Sequence, residues 1–498
     1  MKIVSIDTMR RLESEAVVSG IPEYRLMRRA GIGAASLLEK YCISKFRRVV
    51  FFCGGGNNAG DALVCAGSLA LPHVIVPCRS LESLKGAAAE ALKEFAPRLN
   101  ITSLDEFDFA PGDLIVDALS GIGFTGTEVR SDIAGALKKI AASGKSVVAF
   151  DLPSGLNGDS GIAAGECVQA ELTITFGLPK QGLFLNDGPR LSGKIAQVPI
   201  GVEDLSFPGA LPYTFFTAAD AEKLLPRPEL TVHKNSRGRV VLLCGSIDYP
   251  GAAALASRGA LHFSGLVRLL SVRSPNMPPL PAALIARLLP PGPEGELPAE
   301  ALKTNADATA ASDVLCAGCG WGNHVSPELL EDVLQFPGKL ILDADALNLL
   351  ARTPELWNHR SDAVLTPHPG EALRLAQSFN VDTNGSRPEF AARMAKRFNC
   401  IVVLKGFHTC VALPDGSVSL NGSGGPELAM AGSGDVLAGI IAGLAAKMAD
   451  LADAVRLGVF FCTALRATMD TERSLLTNSP PLPHMQRHIR RGGKSRRR

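Results

Sequence analysis

At 498 residues the chain is long for a single hydrophobic core, and two domains of about 200–260 residues are the natural expectation. Hydrophobic residues make up 46% and charged residues 20%, a globular balance, and 50 glycines beside 5% aromatics suit α/β folds with tight, backbone-lined loops. The formal charge of +2 misleads, because seven of the 51 basic residues (Arg487, Arg490, Arg491, Lys494, Arg496, Arg497, Arg498) lie in the last twelve positions and the other 44 face 49 acids. The mildly acidic body argues against a nucleic-acid surface, and the basic end reads as a solvated tail.

In chain order, apolar β-branched runs predict strands over 49–53, His73–Pro77, 114–117, 146–151 and Leu172–Phe176, with helices over 61–71, 84–96 and 133–143 between them. This alternation implies a parallel sheet covered on both faces. A first domain over 1–206 then gives way to a Pro/Gly-rich linker over 207–216. A second, non-repeating α/β series over 217–477 predicts strands over 239–245, Leu266–Val272, 313–317, 339–343, Ala363–Leu365 and Ile401–Leu404. It also predicts an irregular Pro-rich stretch over 275–295, a helix from about Gly434 and another over 452–469. Residues 478–498 are the basic tail, expected to be disordered.

The eleven cysteines sit mostly inside apolar runs, as buried thiols do in a reducing compartment. Residues 1–11 lack the apolar centre of a signal peptide and no apolar run has membrane-spanning length, so no membrane partner is expected and the expected location is cytoplasmic.

Three motifs of the first half fall at strand ends. Gly54-Gly55-Gly56-Asn57-Asn58-Ala59-Gly60-Asp61 joins a strand to a helix, where backbone N–H groups can approach an anion. Asp117 ends a second strand, followed by Gly121-Ile122-Gly123-Phe124-Thr125-Gly126. Asp151 ends a third and leads into Ser154-Gly155. Ligands of open parallel sheets collect outside the carboxyl ends of strands, so these three together form a candidate site. The spacing is neither that of a P-loop nor that of a dinucleotide fingerprint, which removes the reading as an ordinary dehydrogenase.

Followed by Thr175-Phe176-Gly177-Leu178-Pro179-Lys180, this series resembles the NAD(P)H-hydrate epimerase domain. The resemblance implies a Rossmann-like three-layer α/β/α sandwich that interconverts the R and S epimers of hydrated nicotinamide nucleotides. It implies K⁺ at Asn58, Asp117 and Ser154. Substrate would be held by Asn57, Asn58, Ala59, Gly60 and Asp61, together with Gly121, Ile122, Gly123, Phe124, Thr125, Gly126 and Thr127. Asp151 would be the acid/base facing the ring, with Lys180 a supporting charge. Ala59 and Ala62 stand where the family usually keeps glycine, and Ser120 replaces a common Phe. A methyl at either alanine would be harmful where the backbone needs a positive φ or meets the ligand.

In the second half, Gly432-Ser433-Gly434-Asp435 opens an apolar helix and puts a carboxylate beside free backbone N–H groups. Taken alone, such an Asp is commonly just a cap. Upstream stand His233-Lys234, Gly245-Ser246, Tyr249 to Ala253, Gly318-Cys319-Gly320-Trp321-Gly322, Asp343 to Asn348, Thr366-Pro367-His368-Pro369-Gly370-Glu371 and Lys405-Gly406-Phe407-His408-Thr409. In this order they resemble the ADP/ATP-dependent NAD(P)H-hydrate dehydratase of the ribokinase-like superfamily. The resemblance implies a ribokinase-like α/β domain, and phosphoryl transfer from ADP or ATP, with Mg²⁺, to the hydroxyl of the (S)-hydrate of NADH or NADPH. Phosphate loss would then restore the ring and leave AMP when ADP is the donor. Asp435 would be the base. Ala252, Gly320 and His368 would contact the hydrate, and Lys405, Gly406, Phe407, His408, Thr409 and Gly434 the nucleotide. For Asp343, Asp345, Glu371 and Asn421, site and structural roles are both open.

Leu261 to Val267 and Pro275 to Pro278 depart from the family pattern, while the loop at Asp435 keeps it. The family also implies a homo-oligomer. Cys316 and Cys319 have metal-like spacing, but a zinc site needs further ligands and no sequence neighbour supplies them, so packing thiols are expected. His484 and His488 read as part of the solvated tail. Two rival functions stay open at this point: a small-molecule kinase of the same superfamily, and a nucleotide-binding module without turnover.

Overall fold

The computed structural model describes residues 1–42, 45–124, 126, 128–205, 213–225, 237–425 and 430–469, with side chains to residue 462. Thr125, Thr127, the His233-Lys234 motif, linker residues 207–212 and the basic tail with His484 and His488 lie outside the described residues. The chain divides into two compact units, Lys2–Tyr213 and Thr214–Arg498, the latter joined by Met1.

The first unit is built on six strands: β1 (Arg48–Cys53), β2 (His73–Pro77), β3 (Asp113–Ala118), β4 (Val147–Phe150), β5 (Leu172–Phe176) and β6 (Lys194–Val198). Their order is β2-β1-β3-β4-β5-β6, and among the described residues neighbouring strands pair parallel. Side chains alternate across the sheet. Val49, Phe51 and Cys53 enter one core with α1 (Ile6–Val18), α2 (Glu23–Cys42), α3 (Asn57–Ser68) and α4 (Gly86–Phe95), while Val50 and Phe52 enter another with α5 (Ser131–Ser143). Two apolar faces covered by helices make the three-layer sandwich. The order reverses between β1 and β3, so the crevice at their carboxyl ends is the topological switch point.

The second unit carries β7 (Tyr213–Phe216), β8 (Arg239–Leu243), β9 (Leu266–Val272), β10 (Ile285–Leu289), β11 (Val314–Ala317), β12 (Lys339–Leu342), β13 (Ala363–Leu365), β14 (Ile401–Leu404), β15 (Cys410–Ala412) and β16 (Val418–Asn421). They run in the order β7-β16-β15-β14-β13-β12-β11-β8-β9-β10. From β14 to β10 the pairing is parallel, and β15 and β16 add antiparallel strands. Helix α6 (Pro250–Leu261), α7 (Pro369–Ser378), α8 (Ser433–Lys447) and α9 (Leu451–Met469) follow in chain order. Strand order reverses between β8 and β11, which puts the ends of β8, β11 and β12 around a second switch point.

Several boundaries differ from the expectation. The helix expected from Asp61 begins at Asn57, with Gly56 as its cap, because the short side chains after Gly56 pack into the core rather than forming a loop. The last four residues of the expected linker, Tyr213–Phe216, are a strand whose aromatic and β-branched side chains suit a half-buried pleat. Within the stretch expected to be irregular, Ile285–Leu289 adds an edge strand beside β9. Among the described residues, no helix is long and apolar enough to cross a membrane.

Candidate active sites

A cleft of about 340 Å³ opens at the first switch point, lined among others by Asn57, Asn58, Asp61, Gly121, Ile122, Gly123, Phe124, Asp151 and Lys180. Asp151 follows β4 and has φ 66, a conformation costly for a side-chain-bearing residue and met where function or packing compels it. Its surroundings hold it there. The Lys180 ammonium donates to Oδ1, and the Ile122 N–H donates to Oδ2 at 3.2 Å. Lys180 is only 1% exposed and also donates to the Phe176 carbonyl at 2.7 Å, so the pair is an ion pair removed from water. At Gly121 an added Cβ would lie 3.0 Å from Asp151 Oδ2 and 3.4 Å from Asn58 Cγ, which explains a backbone without a side chain here.

Asp117, at the end of β3, is fully buried. Its carboxylate accepts from Ser154 Oγ at 2.6 Å, the Ser154 N–H at 2.8 Å and the Leu119 N–H at 3.2 Å. Burial pushes its pKa up to about 6 although these hydrogen bonds pull the other way. Asn58 donates from Nδ2 to the Phe150 carbonyl at 3.1 Å, while its buried Oδ1 has no partner among the described residues. A buried orphan acceptor beside two strand-end carboxylates is the donor set that a cation would satisfy.

The cleft takes in part of the expected contact set. Ala59 and Gly60 do not line it; both are buried on α3, and Ala59 and Ala62 belong to the core. Neither alanine has a positive φ. Their methyls pack into the core. Gly126 is exposed. The cleft also holds Arg10 and Glu13 from α1, which no linear motif marked. Burial raises Glu13 to about 7, with Lys180 opposing and Asp151 reinforcing the shift, and burial likewise raises Asp61.

At the second switch point the sequence-predicted residues converge. Asp343, 1% exposed after β12, accepts from Lys405 Nζ at 2.7 Å and Thr366 Oγ1 at 2.7 Å. Lys405 stands 3.8 Å from Glu371. Burial opposes its charge, but Asp343 and Glu371 outweigh it and push the ammonium's pKa up. Gly434 lies against this pair: an added Cβ would be 3.3 Å from Lys405 Nζ and 3.6 Å from Asp343 Oδ2.

Asp435 is in the first turn of α8 after Gly432, whose φ is 83. Burial first, and then the Asp343 carboxylate, push its pKa up to about 7, against the Cys319 thiol and Lys405, which favour the charged form. A carboxyl poised at neutrality and partly open to solvent is suited to taking a proton from a hydroxyl. Gly320, with φ 64, packs on Ala252, where an added Cβ would be 2.6 Å from the Ala252 Cβ. His368 caps α7. Its Nδ1 accepts from the Gly370 N–H at 2.9 Å and the Glu371 N–H at 3.3 Å, which leaves the ring proton on Nε2, 3.3 Å from Glu371 Oε1.

Phe407 is exposed and its ring centroid is 4.2 Å from that of His408, while Arg387 holds the Phe407 carbonyl at 2.7 Å. Thr409 Oγ1 donates to the Gly406 carbonyl at 2.9 Å. Two residues left open between site and structure each make a bond within the protein. Asp345 receives the Gly322 N–H at 2.9 Å, and Asn421 bonds the Ser423 carbonyl at 2.9 Å. The expectation that Cys316 and Cys319 lack further ligands is wrong. The register pairing Cys316 with Leu242 carries Cys244, two residues on, to the same face, and all three sulfurs lie within 4.8 Å of one another.

Comparison with known proteins agrees with this two-site arrangement. Residues 23–182 match the family described as YjeF-related protein N-terminus, and residues 240–484 match NAD(P)H-hydrate dehydratase. The chain is 36% identical over 464 residues to the bifunctional NAD(P)H-hydrate repair enzyme of Moorella thermoacetica, covering 88% of this chain and 87% of that one. The chain belongs to the bifunctional NAD(P)H-hydrate repair enzymes. To the Coxiella burnetii member of the family, this repair enzyme is 34% identical, covering 96% of this chain and 97% of that one. Among solved structures, it is similar to the ADP/ATP-dependent NAD(P)H-hydrate dehydratase of Bacillus subtilis co-crystallized with ATP/Mg²⁺. That match has 28% identity and a TM-score of 0.42, covering 56% of this chain and 97% of that chain.

Proposed function

We propose that the first unit equilibrates the R and S hydrates of NADH and NADPH and that the second dehydrates the S form with ADP or ATP as phosphoryl donor. The observation that carries the second half is Asp435, a carboxyl raised to about 7 at the N-terminus of an apolar helix beside Lys405 and Asp343. Asp435 takes the proton of the nicotinamide hydroxyl as its oxygen accepts the phosphoryl group. The N–H groups opening α8 receive the developing charge on the transferred oxygens. Loss of phosphate then restores the reduced ring, and AMP leaves when ADP is the donor. Ala252, Gly320 and His368 are assigned to the hydrate, and Lys405–Thr409 with Gly434 to the nucleotide. Mg²⁺ enters with the nucleotide as its counter-ion, since Asp343 and Asp345 are already engaged by protein donors.

In the first unit Asp151 faces the ring. Glu13, in the same cleft, is the second member of an acid/base pair whose environments differ: Asp151 is tied to Lys180, and Glu13 is poised near neutrality. K⁺ fits Asn58, Asp117 and Ser154 because it would satisfy the orphan Asn58 oxygen, and its chemistry there is to anchor anionic substrate groups. Assembly as a homo-oligomer belongs to the same reading.

The test mixes both hydrates with ADP, Mg²⁺ and K⁺ and follows recovery of reduced-nicotinamide absorbance. Complete recovery of both epimers is expected. Recovery of the S form alone, with no gain over spontaneous epimerisation, would remove the first activity. A stable phosphorylated product would replace the second by a kinase.

A further inference from the structure

Three thiols that the repair chemistry leaves unused lie beneath the second active site. Cys244 follows β8, Cys316 is in β11 and Cys319 begins the glycine-rich loop after it; all are fully buried. Their sulfurs lie within 4.8 Å of one another. Zinc held by thiolates at about 2.3 Å in a tetrahedron sets the sulfurs about 3.8 Å apart, so closure of less than about 1 Å would form the site. Parallel pairing of β8 with β11 fixes two of the three backbones, which makes the cluster largely pre-formed.

A second, overlapping cluster joins this one to the chemistry. Cys319 is within the same 4.8 Å limit of both Asp343 and Asp435. Asp343 accepts at Oδ1 from Lys405 and Thr366 and at Oδ2 from the Cys319 thiol at 3.7 Å, which leaves Asp435 as the carboxylate freer to turn toward an ion. Three sulfurs and one carboxylate oxygen complete a tetrahedral zinc set.

We propose that Cys244, Cys316 and Cys319, with Asp435 as fourth ligand, form an inhibitory zinc site that stops the second activity and spares the first. On binding, the thiols release their protons to solvent and the ion takes their sulfur lone pairs. Asp435, drawn onto the ion, no longer accepts the substrate proton. The inhibition rests on the proposed role of Asp435, whereas binding of zinc does not.

The full chain is incubated with Zn²⁺, desalted and assayed for bound metal, with Co²⁺ in parallel for its thiolate-to-metal absorption band. About one zinc per chain is expected. With it, S-hydrate dehydration falls roughly a hundredfold or more, is restored by a chelator, and leaves epimerisation unchanged. Cys316→Ser and, separately, Cys244→Ala lose the zinc and the band, and their dehydration becomes insensitive to zinc. No retained zinc in the wild type, undiminished zinc in both variants, or zinc held by the cysteines without inhibition each overturns the proposal. If the metal-free enzyme shows no dehydration, the assignment of Asp435 fails, and the metal content of the two variants still decides whether the zinc site exists.

Discussion

The two sites share a plan and differ in which carboxylate receives the lysine. Both lie at the carboxyl ends of parallel strands where the sheet order reverses, and both pair a lysine with a buried strand-end aspartate. In the first, Lys180 holds the assigned acid/base itself, Asp151. In the second, Lys405 neutralises Asp343 and leaves Asp435 at the helix N-terminus, where burial and the neighbouring carboxylate bring it to about 7. A near-neutral carboxyl thus arises in the second site where the lysine's hydrogen bond goes to the neighbouring aspartate and its pull on Asp435 is outweighed. In the first, the near-neutral carboxyl comes from another element, Glu13 on α1.

Removing the second base should break the symmetry most. Asp435→Asn is expected to slow dehydration of purified S hydrate by roughly 10²–10⁴-fold while R/S interconversion, followed by chromatography, is unchanged. Undiminished dehydration would end the assignment of Asp435. The comparable cut in the first site should cost stability as well. Lys180→Met leaves Asp151 buried without its cation, and denaturant unfolding of the first unit should show a loss of about 3–5 kcal/mol. The Lys180→Met/Asp151→Asn double variant should regain part of it. An additive double variant would mean that the pair is not coupled.

How much of this was legible in the sequence depended on distance along the chain. Apolar runs located β1, β2, β5, β9, β13 and β14 closely, because parallel strands buried on both faces are short apolar words. Strand-end motifs likewise singled out Asp117 and Asp151, and the glycines opening a helix singled out Asp435, while Asp343 was left open between site and structure. Partnerships made by sheet pairing were not readable: Cys244 is 72 residues from Cys316 and meets it only through the β8–β11 register. Glu13 carried no signal at all, since a lone glutamate on an amphipathic helix looks like solvated surface until the helix is packed against the cleft. Glycine-rich composition misled at Ala59 and Gly60, where the helix starts as soon as Gly56 has turned the chain.

The comparison sharpens into opposite pH limbs. Asp435 acts unprotonated, so kcat/KM for dehydration should fall as pH drops below about 7. Asp343→Asn removes the repelling carboxylate, lowers the Asp435 pKa and should move that limb to lower pH. If Glu13 supplies a proton, epimerisation should instead decline as pH rises through about 7, and Glu13→Gln should abolish that limb. Parallel limbs for the two activities would remove Glu13 from the acid role.

The smallest effect concerns the alanines that replace family glycines. Ala59 has ordinary helical φ, is fully buried, and packs into the core on the face of α3 away from the cleft. Restoring glycine would add backbone freedom to the unfolded chain and remove a packed methyl, so Ala59→Gly should lower stability by about 1–2 kcal/mol. The KM for epimerisation should not move, because Asn57, Asn58 and Asp61, which do reach the cleft, keep their places on the helix. A gain in substrate affinity without loss of stability would show that the methyl meets the ligand after all, and the first site would then be a weakened copy of the family's rather than an equivalent one.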